Sequence, residues 1–156
     1  MEIQNKELHR VATTCIIYND EGKYLVIKRS PHKKAHPNKW TVPGGGLNTD
    51  DYINTLQTYG NAGWYGAVEK ALIREVKEEV SIKIGKPHYL LDMTFIRPDG
   101  IPVLVLSYYA PYVNGEVKLD KDAVEYKWVT LTEAKELDLI AGIYEEIEMV
   151  DALLKT

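Results

Sequence analysis

Three glutamates within five residues, Glu75, Glu78 and Glu79, follow Arg74 in the run Arg74-Glu75-Val76-Lys77-Glu78-Glu79, and no other cluster in the chain has a clearer capacity for chemistry. Around them Val68, Leu72, Val76 and Val80 recur at four-residue steps, so the spacing predicts a helix over Tyr65–Val80. With Val68 as origin and about 100° per residue, Leu72, Val76 and Val80 fall at about 40°, 80° and 120°. On the same wheel Glu79 lies at about 20°, Glu75 at about 340° and Glu78 at about 280°, while Lys70, Arg74 and Lys77 occupy about 180° to 240°. The acids therefore overlap the apolar stripe and the bases oppose it. Like charges gathered beside a buried face are costly unless something positive compensates them. A divalent cation does so economically, and carboxylate oxygens are the ligands that hard ions such as Mg²⁺ or Mn²⁺ prefer. The competing reading is a solvated helix surface laced with i,i+4 ion pairs.

A second element able to serve a site is Trp40-Thr41-Val42-Pro43-Gly44-Gly45-Gly46, whose glycines let backbone approach a ligand and present its polar groups to a metal or phosphate. Lys28, Arg29, Lys33, Lys34 and Lys39 concentrate positive charge beside it and could grip phosphates. Arg29 is the strongest of these because a strand end is a rigid mount. His32 and His36 have no helical frame and no Cys or His partner at zinc spacing. Cys15 cannot form an internal disulfide and sits in an apolar run, which reads as a packed thiol.

The elements that must hold these residues follow from patterning. Val11–Tyr18 and Lys23–Arg29 are β-rich runs around Asn19-Asp20-Glu21-Gly22, a hairpin signal. Strands are predicted at His88–Ile96, Val103–Tyr109 and Val124–Val129, the first two joined by the turn Arg97-Pro98-Asp99-Gly100. Thr132 with Glu133 and Glu136 marks a helix start, and Gly142 precedes an amphipathic stretch ending near Leu154. Strands with few helices and no repeated β-α alternation predict an α+β fold with a mixed sheet between helices. At 156 residues, one domain over 1–156 is expected. Hydrophobic residues at 45% and charged residues at 27% point away from disorder, and the apolar runs are too short to span a membrane. Met1–Arg10 is too polar for a signal peptide, so a cytoplasmic location is expected. A net charge of −4 gives no footprint for duplex nucleic acid and favours a small-molecule partner.

With these residues in place, the chain resembles the Nudix (MutT-like) hydrolase family. The family box runs Gly, five residues, Glu, seven residues, then Arg-Glu-apolar-x-Glu-Glu-x-Gly-apolar. Arg74 to Ile82 match its second half except at Ser81, and Trp40 to Leu47 match the Trp-x-x-Pro-Gly-Gly segment before it. The likeness extends from the Val11 strand to the Trp128 strand. It implies an α/β/α sandwich and a Mg²⁺- or Mn²⁺-dependent pyrophosphohydrolase that cleaves a diphosphate bond in a small nucleotide-like substrate by attack of metal-activated water. Glu75, Glu78 and Glu79 would bind the metal with the Gly44 carbonyl, and Arg29, Lys39, Gly45 and Gly46 would meet the substrate. Glu78 or Glu79 would take the proton, alongside Asp122 or Glu125, which hold the slots six and three residues before Trp128 where relatives often place an acid. Pro98 lies sixteen residues after Ile82, near a proline of ADP-ribose-cleaving relatives, although a Pro-Asp-Gly turn explains it equally. The alternative is a Nudix-fold nucleotide-binding or regulatory module without turnover.

Two departures stand out. A segment of about 48–63 separates the glycines from the helix, and Gly66 occupies the slot of the box Glu that in the family pairs with the box Arg. Arg74 is therefore expected to find another acid, Asp50 or Asp51 in the insertion, or Glu69 or Glu78 on the helix. Ser81 should bring a different helix cap. The insertion carries Tyr52, Tyr59 and Trp64, with Tyr65 following, which could stack on a base or pack among themselves. Lying between the glycine loop and the helix, it is expected to form a flap or short helix that shapes substrate choice, with a homodimer contact as the competing role.

Overall fold

The computed structural model describes residues 3–156. β1 (Arg10–Tyr18) and β2 (Tyr24–Arg29) are joined by a turn in which the Asn19 side chain accepts from the amides of Glu21 and Lys23, 3.0 Å each, and Gly22 takes a φ of 72°. The two strands pair at Tyr18–Tyr24, beside the turn, and then part. β1 continues parallel to β7 (Pro102–Asn114), in register from Arg10–Val103 to Tyr18–Pro111. β2 instead pairs antiparallel with β3 (Trp40–Thr41) and β8 (Ala123–Val129). β4 (Gly44–Gly46) lies antiparallel to β1 on the side that β2 has vacated. β5 (Lys83–Ile84) and β6 (His88–Ile96) pair with the other edge of β7, completing a mixed sheet. The divergence of β1 and β2 opens the cleft in which the candidate site sits.

Alternation along the strands sends side chains to two cores. Cys15, Ile17, Leu25 and Ile27 pack with Leu72, Val76 and Val80 of α1 (Ala67–Val80). Ile16, Tyr24 and Val26 pack with Ala134 of α2 (Leu131–Ala134) and with Ile143, Ile147 and Val150 of α3 (Ile143–Leu154). The sheet is thus held between helices, an α+β arrangement, and each buried aliphatic contributes about 1.5–3 kcal/mol against the entropy of ordering it. Cys15 is fully buried and burial pushes its thiol pKa up, so it is packing material. Among the described residues no helix is long and apolar enough to cross a membrane.

Element boundaries differ from the sequence expectation where a cap decides them. α1 begins at Ala67, two residues later than its periodicity suggests, because Gly66 stands in the left-handed region at φ 76°. At its other end Ser81 takes the left-handed conformation itself, at φ 63°, with its amide on the Lys77 carbonyl and its Oγ donating to the Lys118 carbonyl at 3.2 Å. The cap of α2 is Thr130, in a reciprocal box with Glu133, in place of Thr132. β7 runs on to Asn114 because β1 pairs with it as far as Pro111 and β5 pairs with Tyr112 and Asn114 beyond.

The long connection from β4 to α1 opens with a 3-10 turn at Thr49–Asp51, capped by Asn48. Its aromatic residues serve packing within the segment. Tyr52 meets Trp64 and Tyr59 meets Tyr65, each pair with ring centroids 5.1 Å apart, and the Trp64 indole N–H donates to the Thr55 carbonyl at 2.9 Å.

Candidate active site

The glycine strand is gripped from two sides. Cys15 N donates to the Pro43 carbonyl at 2.8 Å and Leu47 N to the Val11 carbonyl at 2.9 Å, which fixes β4 along β1. Between these bonds, polar groups of Gly44 and Gly46 turn towards α1. Gly44 N donates to Glu79 Oε1 at 3.4 Å, and the Gly46 carbonyl accepts from Arg74 Nη2 at 3.2 Å. Closeness of backbone requires glycine at 44, while glycine at 45 leaves room for the Glu75 side chain. A Cβ on Gly44 would lie 2.1 Å from the Thr13 carbonyl oxygen, and one on Gly45 would lie 2.1 Å from the Glu75 carboxyl carbon.

Arg74 organises the acids on its side of the helix. Its Nη1 donates to Glu75 Oε1 at 2.9 Å and to Glu78 Oε2 at 3.0 Å, while Nε and Nη2 form a fork onto the two oxygens of Asp51. The acid that pairs most fully with Arg74 is therefore Asp51, which stands six residues after Gly45, so the acid's slot is kept there and the extra residues lie between it and the helix, a correction to the expectation that Gly66 fills that slot. Among the described residues Glu79 makes no ion pair. It is half-buried, with the Gly44 amide as its partner, and desolvation together with the nearby Asp120, Glu75 and Asp122 carboxylates pushes its pKa up to about 8. Burial also raises the pKa of Glu75, against the opposing pull of Arg74.

These groups border a groove of about 410 Å³ between the diverging strands. Glu75, Glu79, Asp122, the three glycines and Arg29 meet there. Glu78 stands in an adjoining hollow of about 340 Å³, its side chain 59% exposed, beside Asp50 and Asp51. Two of the sequence candidates lie elsewhere. Glu125 is exposed and pairs across the β2–β8 ladder with Lys28, and a register shift beside that pair separates it from Asp122 and Ala123 at the groove. Lys39 is bound to Asp138 at 2.8 Å, away from the groove lining. Arg10, Thr13 and Asp120 carry no motif that would single them out in the sequence. Arg10 borders both hollows, and Thr13 Oγ1 donates to the Gly45 carbonyl at 3.3 Å. The sequence signal for Arg10 and Thr13 is a place at the start of β1, which becomes informative once β4 is known to pair with that strand.

The residues suit a hard divalent cation. The donors are carboxylate and backbone oxygens, and Glu79 is a half-buried acid that makes no ion pair among the described residues. As the side chains stand, among the described residues no three of them already converge on one ion, because Glu75 and Glu78 each give an oxygen to Arg74.

The mixed sheet between helices thus carries a groove in which acidic side chains face a glycine strand. The NUDIX domain model matches residues 8–149, and the chain belongs to that family, whose members hydrolyse pyrophosphate bonds. It is 27% identical over 138 residues to the nucleoside triphosphatase NudI of Klebsiella pneumoniae (strain 342), covering 82% of this chain and 87% of the relative. It is 28% identical over 123 residues to the NAD-capped RNA hydrolase NudC of Pseudomonas aeruginosa (strain LESB58), covering 78% of this chain but 37% of that protein. Among solved structures, the MutT protein of Methanosarcina mazei Go1 superposes with a TM-score of 0.73 over 98% of this chain and 100% of that one, at 23% identity. At that identity the likeness speaks for the fold.

Proposed function

We propose that the chain is a Mg²⁺- or Mn²⁺-dependent pyrophosphohydrolase that cleaves a diphosphate bond within a nucleoside triphosphate or a nucleoside-diphosphate-linked compound. One observation carries this reading: Glu75, Glu79 and Asp122 line a single groove together with the glycine strand and Arg10, Arg29 and Lys33. Acids to hold a cation and bases to meet anions in one groove suit a substrate that is itself a chain of phosphates.

When bound, the ion supplies positive charge to phosphate oxygens and acidifies water. Glu75 and Glu79 would hold it, with Glu78 reaching it from the adjoining hollow and the Gly44 peptide beside it. Arg10, Arg29 and Lys33 steady the phosphates by charge-assisted hydrogen bonds. In the reaction a water oxygen bonds to phosphorus, the bridging P–O bond breaks, and the water proton passes to a groove carboxylate. We assign that proton to Asp122 or Glu79, which line the groove, in preference to Glu125, which is exposed on the β2–β8 ladder. The relatives named for nucleoside triphosphates and NAD-capped RNA support the substrate class, since both contain a nucleotide phosphoanhydride.

The test is a panel of nucleoside triphosphates, nucleotide sugars, ADP-ribose and dinucleoside polyphosphates, incubated with Mg²⁺ in ¹⁸O-labelled water. We expect at least one to be cleaved, with ¹⁸O appearing in a single phosphate-bearing product. Absence of cleavage across the panel in both Mg²⁺ and Mn²⁺ would reject the reading.

A further inference from the structure

The groove between β1 and β2 takes its lining from both faces of the sheet. Glu75 and Glu79 of α1 hold one side. Thr14 and Val42 come from the other: Val42 packs in the core towards α3, and alternation along β1 puts Thr14 on the face of Ile16, which packs there too. The phosphate chemistry described above makes no use of Thr14.

The Thr14 hydroxyl is committed behind the groove. Its Oγ1 donates to Ser107 Oγ at 3.0 Å, across the β1–β7 pair in which the two residues stand in register. Ser107 is 2% exposed and lies outside the groove lining. On its far side is Glu146 of α3, a half-buried acid to which the Ser107 hydroxyl is hydrogen-bonded. Burial disfavours the charge on Glu146, and the bond from Ser107 supports it.

The order of donors follows from the chemistry of the three groups. A carboxylate only accepts, so Ser107 gives its single hydrogen to Glu146 and must accept from Thr14. Thr14 in turn has given its own hydrogen to Ser107. It therefore turns only lone pairs to the groove. Such an oxygen cannot bond a phosphate oxygen, which is also an acceptor, and takes an N–H or O–H instead. Those donors lie on the nucleoside half of a nucleotide.

We propose that Thr14 is a specificity residue, an acceptor-only hydroxyl fixed by Ser107 and Glu146, which bonds a base amino group or a sugar hydroxyl of the bound nucleotide. Ser107 and Glu146 are positioning residues that act through it. The proposal rests on the reading of the groove as the site of a nucleotide pyrophosphohydrolase.

The test measures kcat/KM in Mg²⁺. Each nucleotide that the wild type cleaves is compared with its analogue lacking the exocyclic amino group, which reports a base donor, and with its 2′-deoxy and 3′-deoxy forms, which report a sugar hydroxyl. One of these analogues should fall about tenfold or more below its parent in the wild type. Thr14→Val keeps the shape and removes the hydroxyl, and should bring that ratio within about twofold of unity, whereas Thr14→Ser should retain it. Ser107→Ala leaves Thr14 in place but frees its hydrogen, and should narrow the ratio to about threefold or less. A merely structural role would lower parent and analogue alike, so an unchanged ratio in either Thr14→Val or Ser107→Ala overturns the proposal. Equal kcat/KM for every parent and analogue in the wild type overturns it too, while leaving the functional reading intact. If Ser107→Ala does not fold, Glu146→Gln, whose amide can donate to Ser107 and so releases the fixed order, decides it: a narrowed ratio sustains the proposal and an unchanged one overturns it. Wild type that cleaves no nucleotide in Mg²⁺ or Mn²⁺ would instead sink the functional reading, and the proposal with it.

Discussion

Glu79 makes the metal-free protein a pH-dependent structure. Its carboxyl has a pKa of about 8 in the folded chain against an ordinary value of 4.5, because burial and the neighbouring acids disfavour its charge. The folded state then binds the proton more tightly than the unfolded state. Its contribution to stability is fully present below about pH 4.5, declines as pH rises, and is lost once pH passes about 8. A difference of about 3.5 pH units at about 1.4 kcal/mol each sets an upper bound near 5 kcal/mol, and relief by water at the groove edge reduces it to about 2–3 kcal/mol. Glu79→Gln keeps an oxygen for the Gly44 amide and carries no charge, so it lacks this slope. Urea unfolding in EDTA at intervals from pH 5 to 8.5 measures it: wild type should lose about 2–3 kcal/mol relative to the variant across that range. Glu75 and Glu146 are also raised, but they are present in both proteins and cancel in the difference. Parallel stability curves for wild type and Glu79→Gln would refute the reasoning.

Further expectations concern the strand, the helix end and the proton acceptor. Gly45→Ala meets the flexible end of Glu75, so it should displace that carboxylate and lower turnover about tenfold or more with little loss of melting temperature, whereas Gly44→Ala meets β1 backbone and should cost about 2 kcal/mol or more in urea unfolding. Ser81→Gly relieves a left-handed serine at the loss of one exposed hydrogen bond and should stabilise the protein by about 0.5–1 kcal/mol, read by the same urea titration. Asp122→Asn should lower kcat by about 10²-fold or more, while Glu125→Gln, outside the groove, should leave it within about twofold. Equal effects of the last two substitutions would remove Asp122 from its proposed role.

Much of the molecule is legible in the order of its residues. The four-residue recurrence of Val68, Leu72, Val76 and Val80 locates α1 and places the glutamates beside its inner face, and the β-rich run Val11–Tyr18 marks the strand at the centre of the sheet. The partner of Arg74 is legible too, since Asp51 stands six residues after Gly45, where the box spacing places an acid. What stays hidden depends on distant chain segments. Lys39 looks like a phosphate ligand until Asp138, 99 residues away in sequence, is seen to hold it. Glu125 and Asp122 look equivalent in sequence, and only the shifted β2–β8 register separates them. The start of α2 is readable from spacing alone, since Thr130 has Glu133 three residues on while Thr132 has Lys135. The aromatics of the insertion pair with one another, one of the two arrangements open to them in the sequence.

The central claim is that carboxylates gathered on the glycine strand support divalent-metal-dependent cleavage of a diphosphate bond. It is tested most directly by measuring product formation for wild type and Glu79→Gln on one cleaved nucleotide, in excess Mg²⁺ and in excess EDTA. We expect turnover by wild type in Mg²⁺ alone, falling about 10²-fold or more in EDTA and by a similar factor in the variant. Wild-type turnover in EDTA at its Mg²⁺ rate, or Glu79→Gln working as fast as wild type, would contradict the account.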